Sequence, residues 1–255
     1  MKKIVIALIL AGVMVGCAKK EEGLSTSAVK ASITKSIPGL PADVAVNKSP
    51  VNGLYEVVVG RKVFYVTNDG KYIMFGNLIE ASTKQNLTEK RTTELSKIDW
   101  NKLPLDLAIK EVNGNGKRKL AVFSDPECPY CQMFEKQIAP NLKDTTIYTF
   151  LFPLPNHPQA KPDAIKIWCS KDRTSVWTGW MRDKKALPTN SSCDTSGIDA
   201  LIKLGTDLVQ IEGTPTLILE NGQILPSMLP AEQLIPMMDD AVKNGTKVAP
   251  ASSTK

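Results

Sequence analysis

The pattern of apolar and polar residues in the first third of the chain predicts one helix followed by three short strands. Val29, Ile33 and Ile37 recur at helical spacing, and Pro38-Gly39 ends the helix. Three runs rich in β-branched and aromatic residues come next, separated by glycine-containing turn signals. Together they predict a small antiparallel meander packed against one helix. The runs are Leu54–Val59, Lys62–Val66 and Lys71–Phe75.

The meander strands are apolar on both faces. Val63 and Tyr65 point to one side of the sheet, and Phe64 and Val66 point to the other. One helix can cover only one face. We therefore expect the second face, or a sheet edge, to meet a partner surface, with coverage by the rest of the chain as the alternative.

The remaining two thirds of the chain predict strands and helices in alternation. A mostly polar helix at 87–98 connects the two parts, and Pro104 prevents its continuation. The order that follows is typical of an α/β layered domain interrupted by a helical insertion. Its elements are a strand at 119–123, a helix from about 128, a strand at 145–152, a polar helical region at 157–209, a strand hairpin at 216–219 and 223–226, and a helix at 231–243.

These patterns predict the domain boundaries. The first domain is α+β, a helix plus an antiparallel meander, and the second is α/β. The predicted segments are a leader at 1–17, the N-terminal domain at 24–86, a linker-helix region at 87–112, the second domain at 113–245 with its insertion at about 155–210, and a flexible tail at 246–255.

The N-terminus has the pattern of an export leader. Lys2-Lys3 precedes an apolar stretch that is too short to span a bilayer. The stretch ends in Met14-Val15-Gly16-Cys17, which resembles a bacterial lipobox and would make Cys17 the lipidated first residue. The alternative is ordinary cleavage after Ala18. Both outcomes export the protein, so disulfides are allowed.

Composition is that of a soluble globular protein with a sizeable core. The 255 residues are 42% hydrophobic and 23% charged, with a net charge of +6. The basic residues are spread along the chain and are not interleaved with aromatic residues, which argues against nucleic-acid binding.

Four cysteines remain beyond the leader, and they allow three disulfide pairings. Locality favours Cys128–Cys131 with Cys169–Cys193, and the second bridge would contribute about 3 kcal/mol in the chain-entropy model. A four-cysteine zinc site is the rival interpretation, but a zinc ribbon needs a second C-x-x-C pair.

The segment Cys128-Pro129-Tyr130-Cys131 lies where an apolar strand gives way to a helix. Unpaired N–H groups and the dipole at a helix N-terminus stabilise a thiolate and lower the pKa of its thiol. Cys131, one turn on, can close a small disulfide with Cys128. The pattern predicts a redox-active pair, with a buried structural bridge as the alternative.

Several segments resemble one known family. The segment 123–131 is similar to the active-site segment of thioredoxin-fold enzymes, and Gly213-Thr214-Pro215 resembles the cis-proline loop that faces it. Segments 167–172 and 192–194 are similar to the structural-disulfide segments of the DsbC-type (DsbC/DsbG) periplasmic thiol:disulfide isomerases. The strand pattern at 66–76 resembles the N-terminal dimerisation domain of that family. The resemblance covers residues 27–243.

The resemblance implies a V-shaped homodimer with two thioredoxin-fold domains across an apolar cleft. An exposed Cys128 would attack wrong disulfides in misfolded exported proteins, and Cys131 would resolve stalled intermediates. Pro215 would be cis, with a trans turn as the alternative, and Thr214 would offer backbone groups to a substrate strand. Cys169 and Cys193 would form a structural disulfide, with a second redox pair as the alternative.

The resemblance also implies a periplasmic location and a membrane reductase of the DsbD type as partner. No cofactor is expected besides the Cys128–Cys131 disulfide, and no metal. Lipid anchoring would depend on Cys17.

Two departures from the family leave the redox poise open. The family commonly has Gly-Tyr between the cysteines, whereas Pro129-Tyr130 also resembles glutaredoxins, which are small cytosolic proteins without a leader or an extra domain. Glu127 would oppose thiolate formation if its carboxylate turned toward the Cys128 sulfur. A dithiol oxidase, a client-specific reductase and a holdase-type chaperone are therefore the alternative functions.

Three further kinds of residue receive structural interpretations. We expect His157 to be solvated in its loop, Trp168 to be core beside the Cys169 bridge, and Met228, Met237 and Met238 to be packing residues.

Overall fold

The computed structural model describes residues 23–245 apart from 42–43, 190–191 and 226–227. The predicted leader with Cys17, the tail at 246–255 and Pro226 of the last predicted strand lie outside the described residues. The chain divides into two compact units between Gly76 and Asn77. The predicted domain boundaries, including the linker-helix region at 87–112, stay predictions.

The first unit contains the predicted helix and antiparallel meander. The sheet order is β1-β2-β3-β4, and every neighbouring pair is antiparallel. Strand β1 was not predicted because its sequence, Ala-Val-Asn-Lys, is neither an apolar run nor deeply buried. The elements are α1 (Thr26–Ser36), β1 (Ala45–Lys48), β2 (Leu54–Val59), β3 (Lys62–Thr67) and β4 (Ile73–Met74).

Helix α1 packs its apolar stripe on one face of this sheet. Val29 and Ile33 are buried in one cluster with Phe64 and Val66, as the spacing predicts. Burial of such a side chain contributes about 1.5–3 kcal/mol. Tyr65 lies on the opposite face and is only 4% exposed. What covers that face stays a prediction.

The second unit contains the strand–helix order expected from residue 118 onward. Short 3₁₀ turns occur at Trp100–Lys102, Leu105–Leu107 and Ala139–Asn141. Single π-helical turns follow α3 at Phe134–Ile138 and α6 at Gly205–Val209. The regular elements are β5 (Ile79–Glu80), β6 (Gln85–Asn86), α2 (Leu87–Leu95), β7 (Ile109–Asn113), β8 (Arg118–Ser124), α3 (Pro129–Met133), β9 (Thr145–Leu151), α4 (Ala160–Trp168), α5 (Arg173–Asp183), α6 (Ser196–Leu204), β10 (Thr216–Leu219), β11 (Ile224–Leu225) and α7 (Ala231–Asn244).

The five-stranded sheet of this unit has the order β11-β10-β8-β9-β7, in which only β8 and β9 run parallel. Central strand β8 is buried on both faces, which explains its continuous apolar sequence. Leu120 and Val122 pack with α7, and Ala121 and Phe123 pack with the helical insertion. The sheet thus has helices on both faces, and the predicted α/β layered class is confirmed.

Two strand pairs of this unit were missed by the sequence reasoning. Strand β7 pairs antiparallel with β9, but only Ile109 of β7 is buried. An edge strand with Lys110-Glu111 in the middle carries no apolar run. The two-residue strands β5 and β6 are too short to give a pattern.

A buried charged network ties the insertion to the helix that carries the cysteines. Glu135, 1% exposed, accepts hydrogen bonds from Trp177 Nε1 at 2.9 Å and from Arg182 Nη2 at 2.7 Å. Arg182 also donates to both carboxylate oxygens of Glu111, at 2.9 and 2.5 Å. The π turn after α3, helix α5 and edge strand β7 are thereby joined.

The insertion is also held by a disulfide between Cys169 and Cys193. Trp168 is buried beside it and donates from Nε1 to the Asp194 carbonyl, while the Arg173 guanidinium lies 3.8 Å from the centre of its ring. The interpretation of Trp168 as core is confirmed. Met228, Met237 and Met238 pack against the cluster beneath α7, also as predicted. In the part of the chain that the structure describes, no helix combines the length and apolar character needed to cross a membrane.

Candidate active site

The two cysteines of the C-x-x-C segment lie at the start of α3. Cys128 is the N-cap residue, and Pro129 occupies the first helical position, where a missing N–H is tolerated. Cys131 lies one turn on and is fully buried, and both cysteines are free thiols. Cys128 was expected to be exposed, but it is only 4% exposed, so that expectation is wrong for this structure.

The loop before β10 covers the Cys128 sulfur. The sulfur of Cys128 lies 3.4 Å from the carbonyl oxygen of Thr214, to which its thiol donates when it is protonated. The Thr214–Pro215 peptide bond is cis, and Pro215 is buried. Because Thr216 pairs with Phe123 across the sheet, this loop is brought to the end of β8, where the cysteine segment begins. The structure therefore places Cys128, Cys131, Thr214 and Pro215 together.

The two thiols have opposite acidities. A hydrogen bond from the Cys131 thiol lowers the pKa of Cys128 to about 5, aided by the Thr214 side chain and by the N–H groups of Tyr130 and Cys131, against the effect of burial. Burial raises the pKa of Cys131 far above its ordinary value, and its hydrogen bond to Cys128 raises it further. At neutral pH Cys128 is a thiolate and Cys131 a thiol.

Three polar groups moderate the burial of the Cys131 sulfur. The backbone N–H of Asp125 donates to it at 3.4 Å. The side chains of Ser124 and Thr214 also favour the Cys131 thiolate and so lower the pKa of its thiol. Both hydroxyl oxygens are buried, and neither has a partner at full hydrogen-bonding distance among the described residues. These hydroxyls are thus available to a negative charge that forms on Cys131.

Asp125 fixes the loop that leads into the cysteine segment. Its carboxylate is fully buried and accepts from the N–H groups of Glu127 at 2.6 Å and Cys128 at 3.1 Å. The second oxygen accepts from the N–H of Leu154 at 2.7 Å and lies 3.0 Å from His157 Nδ1. Sequence reasoning missed this role. The available signal was an aspartate followed by proline three residues before Cys128, a pattern typical of turns closed by the aspartate side chain.

The interpretation of His157 as a merely solvated loop residue is wrong. The loop between β9 and α4 turns back toward β8, so the imidazole reaches the Asp125 carboxylate. The side chain is 23% exposed and bonded to Asp125. The hydrogen bond to Asp125 raises the pKa of His157, and the negative charges of Asp125, Cys128 and Glu127 add to the effect.

The sequence left open whether the Glu127 carboxylate turns toward the Cys128 sulfur, and in the structure it is bonded to the insertion. Its carboxylate accepts from the N–H of Gln159 at the start of α4, at 2.9 Å. A carboxylate committed to that N–H is positioned on the insertion side of the loop. The electrostatic repulsion between this carboxylate and the Cys128 thiolate is therefore weakened.

Exposed apolar side chains follow Cys128 on α3. Tyr130 is 62% and Met133 41% exposed. Trp180 of the insertion donates from Nε1 to the Pro126 carbonyl at 2.8 Å, which helps to fix the loop before Cys128. The reactive sulfur thus lies beside the Thr214 backbone, and the helix that follows it presents exposed apolar side chains.

Comparison with known proteins assigns both parts of the chain. The family model described as disulfide bond isomerase protein N-terminal domain matches residues 20–89, and that described as thioredoxin-like domain matches residues 105–242. The probable thiol:disulfide interchange protein DsbC of Bordetella pertussis is 35% identical over 207 residues, which is 81% of this chain and 72% of the relative.

More distant relatives extend over nearly the whole chain. The thiol:disulfide interchange protein DsbC of Salmonella typhimurium is 28% identical over 244 residues, 95% of this chain and 97% of the relative. A solved structure of a disulfide interchange protein from Neisseria gonorrhoeae is 38% identical and covers 56% of this chain and 99% of its own, with a TM-score of 0.49. The resemblance inferred from the sequence is confirmed by the domain matches and the Bordetella relative. The chain belongs to the DsbC family of thiol:disulfide interchange proteins.

Proposed function

We propose that this protein isomerises wrong disulfides in exported proteins, with Cys128 as the nucleophile and Cys131 as the resolving thiol. The observation that carries the proposal is the placement of the two cysteines: Cys128 caps the start of α3 within hydrogen-bonding reach of Cys131, and Cys131 is fully buried. The contact lowers the pKa of Cys128 to about 5, and burial raises that of Cys131. Disulfide exchange needs a thiolate that attacks and a second thiol that stays in reserve.

The first step joins enzyme and substrate. The Cys128 thiolate attacks one sulfur of a substrate disulfide, the substrate S–S bond breaks, and the other substrate sulfur leaves as a thiolate. That thiolate attacks a further disulfide within the substrate. A substrate thiolate finally attacks the mixed disulfide and releases Cys128 as a thiolate. No electrons are gained or lost over the cycle.

The state of Cys131 decides how long the mixed disulfide lasts. Cys131 is fully buried, and burial holds its proton by raising its pKa. Resolution by Cys131 requires loss of that proton, attack on the Cys128 sulfur and departure of the substrate as a thiolate. A slow resolving step leaves time for rearrangement within the substrate, which favours isomerisation over net reduction.

We propose that the backbone of the Thr214 loop binds the substrate. The Thr214 carbonyl lies 3.4 Å from the Cys128 sulfur, in the loop just before β10, the strand that pairs with β8. An extended substrate segment can pair with this backbone and place its own sulfur beside Cys128, while apolar substrate residues contact Tyr130.

We further propose that two copies associate through the N-terminal unit. Supporting this is an apolar group at and beside edge strand β4, in which Tyr72 is 67%, Met74 45% and Phe75 79% exposed. An uncovered edge with large apolar side chains favours pairing with another chain. The match of residues 20–89 to the family's N-terminal domain agrees with this.

Location and reductant complete the proposal. The leader pattern supports a periplasmic protein, and the Cys17 alternative would anchor it to a membrane through lipid. The mass of the mature N-terminus distinguishes lipidated Cys17 from cleavage after Ala18. After a resolving step the enzyme leaves as the Cys128–Cys131 disulfide, and two electrons from a membrane reductase of the DsbD type would restore the dithiol.

Refolding of a scrambled multi-disulfide protein tests the function. With a catalytic amount of glutathione, the wild-type protein should restore native pairing, and Cys128→Ala should not. Cys131→Ala should keep part of the activity and accumulate mixed disulfides. Equal recovery with Cys128→Ala would favour a holdase, and net oxidation without rearrangement would favour an oxidase.

A further inference from the structure

We propose that His157 is a positioning residue for the disulfide chemistry, which acts through Asp125 to make the thiolate stability of Cys128 depend on pH near neutrality. The proposal rests on the proposed nucleophilic role of Cys128. His157 is the single histidine of the chain.

Asp125 is the physical link between the imidazole and the reactive sulfur. One carboxylate oxygen accepts from the N–H of Cys128 at 3.1 Å, and the other lies 3.0 Å from His157 Nδ1. The carboxylate is fully buried, so its charge is poorly screened by water. A change of charge on the imidazole therefore changes the electrostatic potential at Cys128, at the start of α3.

The position of His157 allows it to exchange its proton while Asp125 stays buried. The imidazole is 23% exposed, and its backbone is fixed on both sides. The His157 N–H donates to the Leu154 carbonyl at 3.0 Å, and the His157 carbonyl accepts from Ala160 at 3.1 Å. The contact with Asp125 is thus held by the loop and does not depend on the imidazole charge alone.

The charged groups that raise the pKa of the imidazole most lie in the segment between β8 and α3. They are Asp125, the Cys128 thiolate and Glu127, whose carboxylate is bonded to Gln159. With the imidazole protonated, the pair with Asp125 is neutral overall. With it neutral, the Asp125 charge next to the Cys128 N–H is uncompensated and disfavours the thiolate.

Reciprocity gives the proposal its sharpest consequence. If a protonated His157 stabilises the Cys128 thiolate, that thiolate must stabilise protonated His157 to the same extent. When Cys128 forms a disulfide, its charge disappears. The imidazole should then lose its proton at a lower pH in the oxidised protein than in the reduced protein.

The first test is an NMR titration of the single histidine in wild-type protein, reduced and oxidised. We expect the midpoint to lie higher in the reduced form, by about 0.3–1 pH unit, given the strength of such charge interactions across partly buried sites. Identical midpoints in the two forms would overturn the proposal. Because no variant is needed, loss of folding cannot obscure the result.

The second test measures the acidity of Cys128 in the reduced full chain by thiolate absorbance against pH. His157→Gln keeps a donor that can reach Asp125 but removes the charge. By the same reciprocity it should raise the Cys128 midpoint by about 0.3–1 pH unit, so that the thiolate fraction at pH 5 falls about 1.5- to 5-fold. Lys161→Gln is the matched control, because it removes a positive charge from α4 that pairs with exposed Asp199 instead. Equal shifts of the Cys128 midpoint in the two variants would mean that only the net charge of the protein matters, which would contradict the proposal.

These measurements do not depend on catalysis by the protein. If the wild-type protein refolds its substrate but the His157 midpoint is the same in the reduced and oxidised forms, the isomerase proposal stands and the role of His157 is removed. If the midpoint differs between the two forms but the protein shows no refolding activity, the role of His157 stands and the isomerase proposal is removed.

Discussion

The sulfur of Cys128 lies 3.4 Å from the carbonyl oxygen of Thr214, a residue 86 positions further along the chain. The contact follows from the pairing of Thr216 with Phe123, which sets the loop before β10 against the segment after β8. The proposed nucleophile and the backbone proposed to face its substrate are therefore held by the same central strands.

The acidity of Cys128 predicts how its reactivity changes with pH. Because the pKa of Cys128 is lowered to about 5, alkylation by iodoacetamide should stay near its maximum from pH 8 down to about 6 and fall about tenfold per pH unit below the midpoint. The rate measured against pH in the reduced protein checks this. Cys131→Ala removes the first cause of the lowering, so its midpoint should be higher.

The same thiolate should make the stability of the reduced protein depend on pH. A group whose pKa is lowered by folding contributes stability that is complete above its unfolded pKa and is lost as pH falls to the folded one. The free energy of unfolding should therefore rise from about pH 5 toward the ordinary range of a thiol, by at most about 1.4 kcal/mol per pH unit. Urea unfolding of wild type and of Cys128→Ser at several pH values measures the difference. A difference between the two that is the same at every pH would contradict the expectation.

Local patterns and partners distant in sequence differ in how well they could be predicted. The strands with continuous apolar runs, the start of α3 and the Thr214-Pro215 loop could be predicted because each is marked by residues next to one another. The short or polar strands β1, β5, β6 and β7 could not. The contact of His157 with Asp125 spans 32 positions, and neither loop has a periodicity that points to the other. Glu135 reads as an ordinary charged residue on a helix, yet it is buried against Arg182, 47 positions away.

The Glu135–Arg182 pair predicts a large effect on stability. Arg182→Met would leave a carboxylate buried without its cation, and we expect a loss of about 3–5 kcal/mol in the free energy of unfolding. Burial raises the pKa of Glu135, and loss of the cation should raise it further. A group whose pKa is raised by folding favours the folded state at low pH, so the loss should be smaller at pH 5 than at pH 8.

A surface pair supplies the control for that experiment. Lys161 and Asp199 are 56% and 62% exposed, so Lys161→Gln should cost about 0–1 kcal/mol and show little dependence on pH. Chemical denaturation of both variants at the two pH values gives the comparison. Similar losses for Arg182→Met and Lys161→Gln would mean that the buried network contributes no more than a surface pair.

The Cys169–Cys193 disulfide predicts a structural effect that is separable from catalysis. Replacing both cysteines by alanine should lower the free energy of unfolding by about 2–4 kcal/mol. The pair lies at the end of α4 and just before α6, away from the cysteine segment in the chain. The alkylation profile of Cys128 should therefore keep its midpoint. A changed midpoint, or loss of refolding activity at temperatures where the variant is folded, would support the alternative of a second redox pair.

The exposed edge beside β4 predicts the oligomeric state. Wild type should sediment as a dimer at micromolar concentration, and Tyr72→Asp should shift it to a monomer, because a charge would be buried at an apolar contact between copies. Tyr72 is 67% exposed, so the substitution should leave the folded monomer intact.

Val112→Asp is the matched control, since Val112 is 52% exposed on edge strand β7 of the other unit and should leave the dimer unchanged. A monomeric wild type, or dissociation by both variants alike, would rule out this edge as the specific interface. If Tyr72→Asp is monomeric, its refolding activity should fall while the alkylation midpoint of Cys128 stays the same. The thiol chemistry lies within one copy, whereas the apolar cleft that the family resemblance implies would need two.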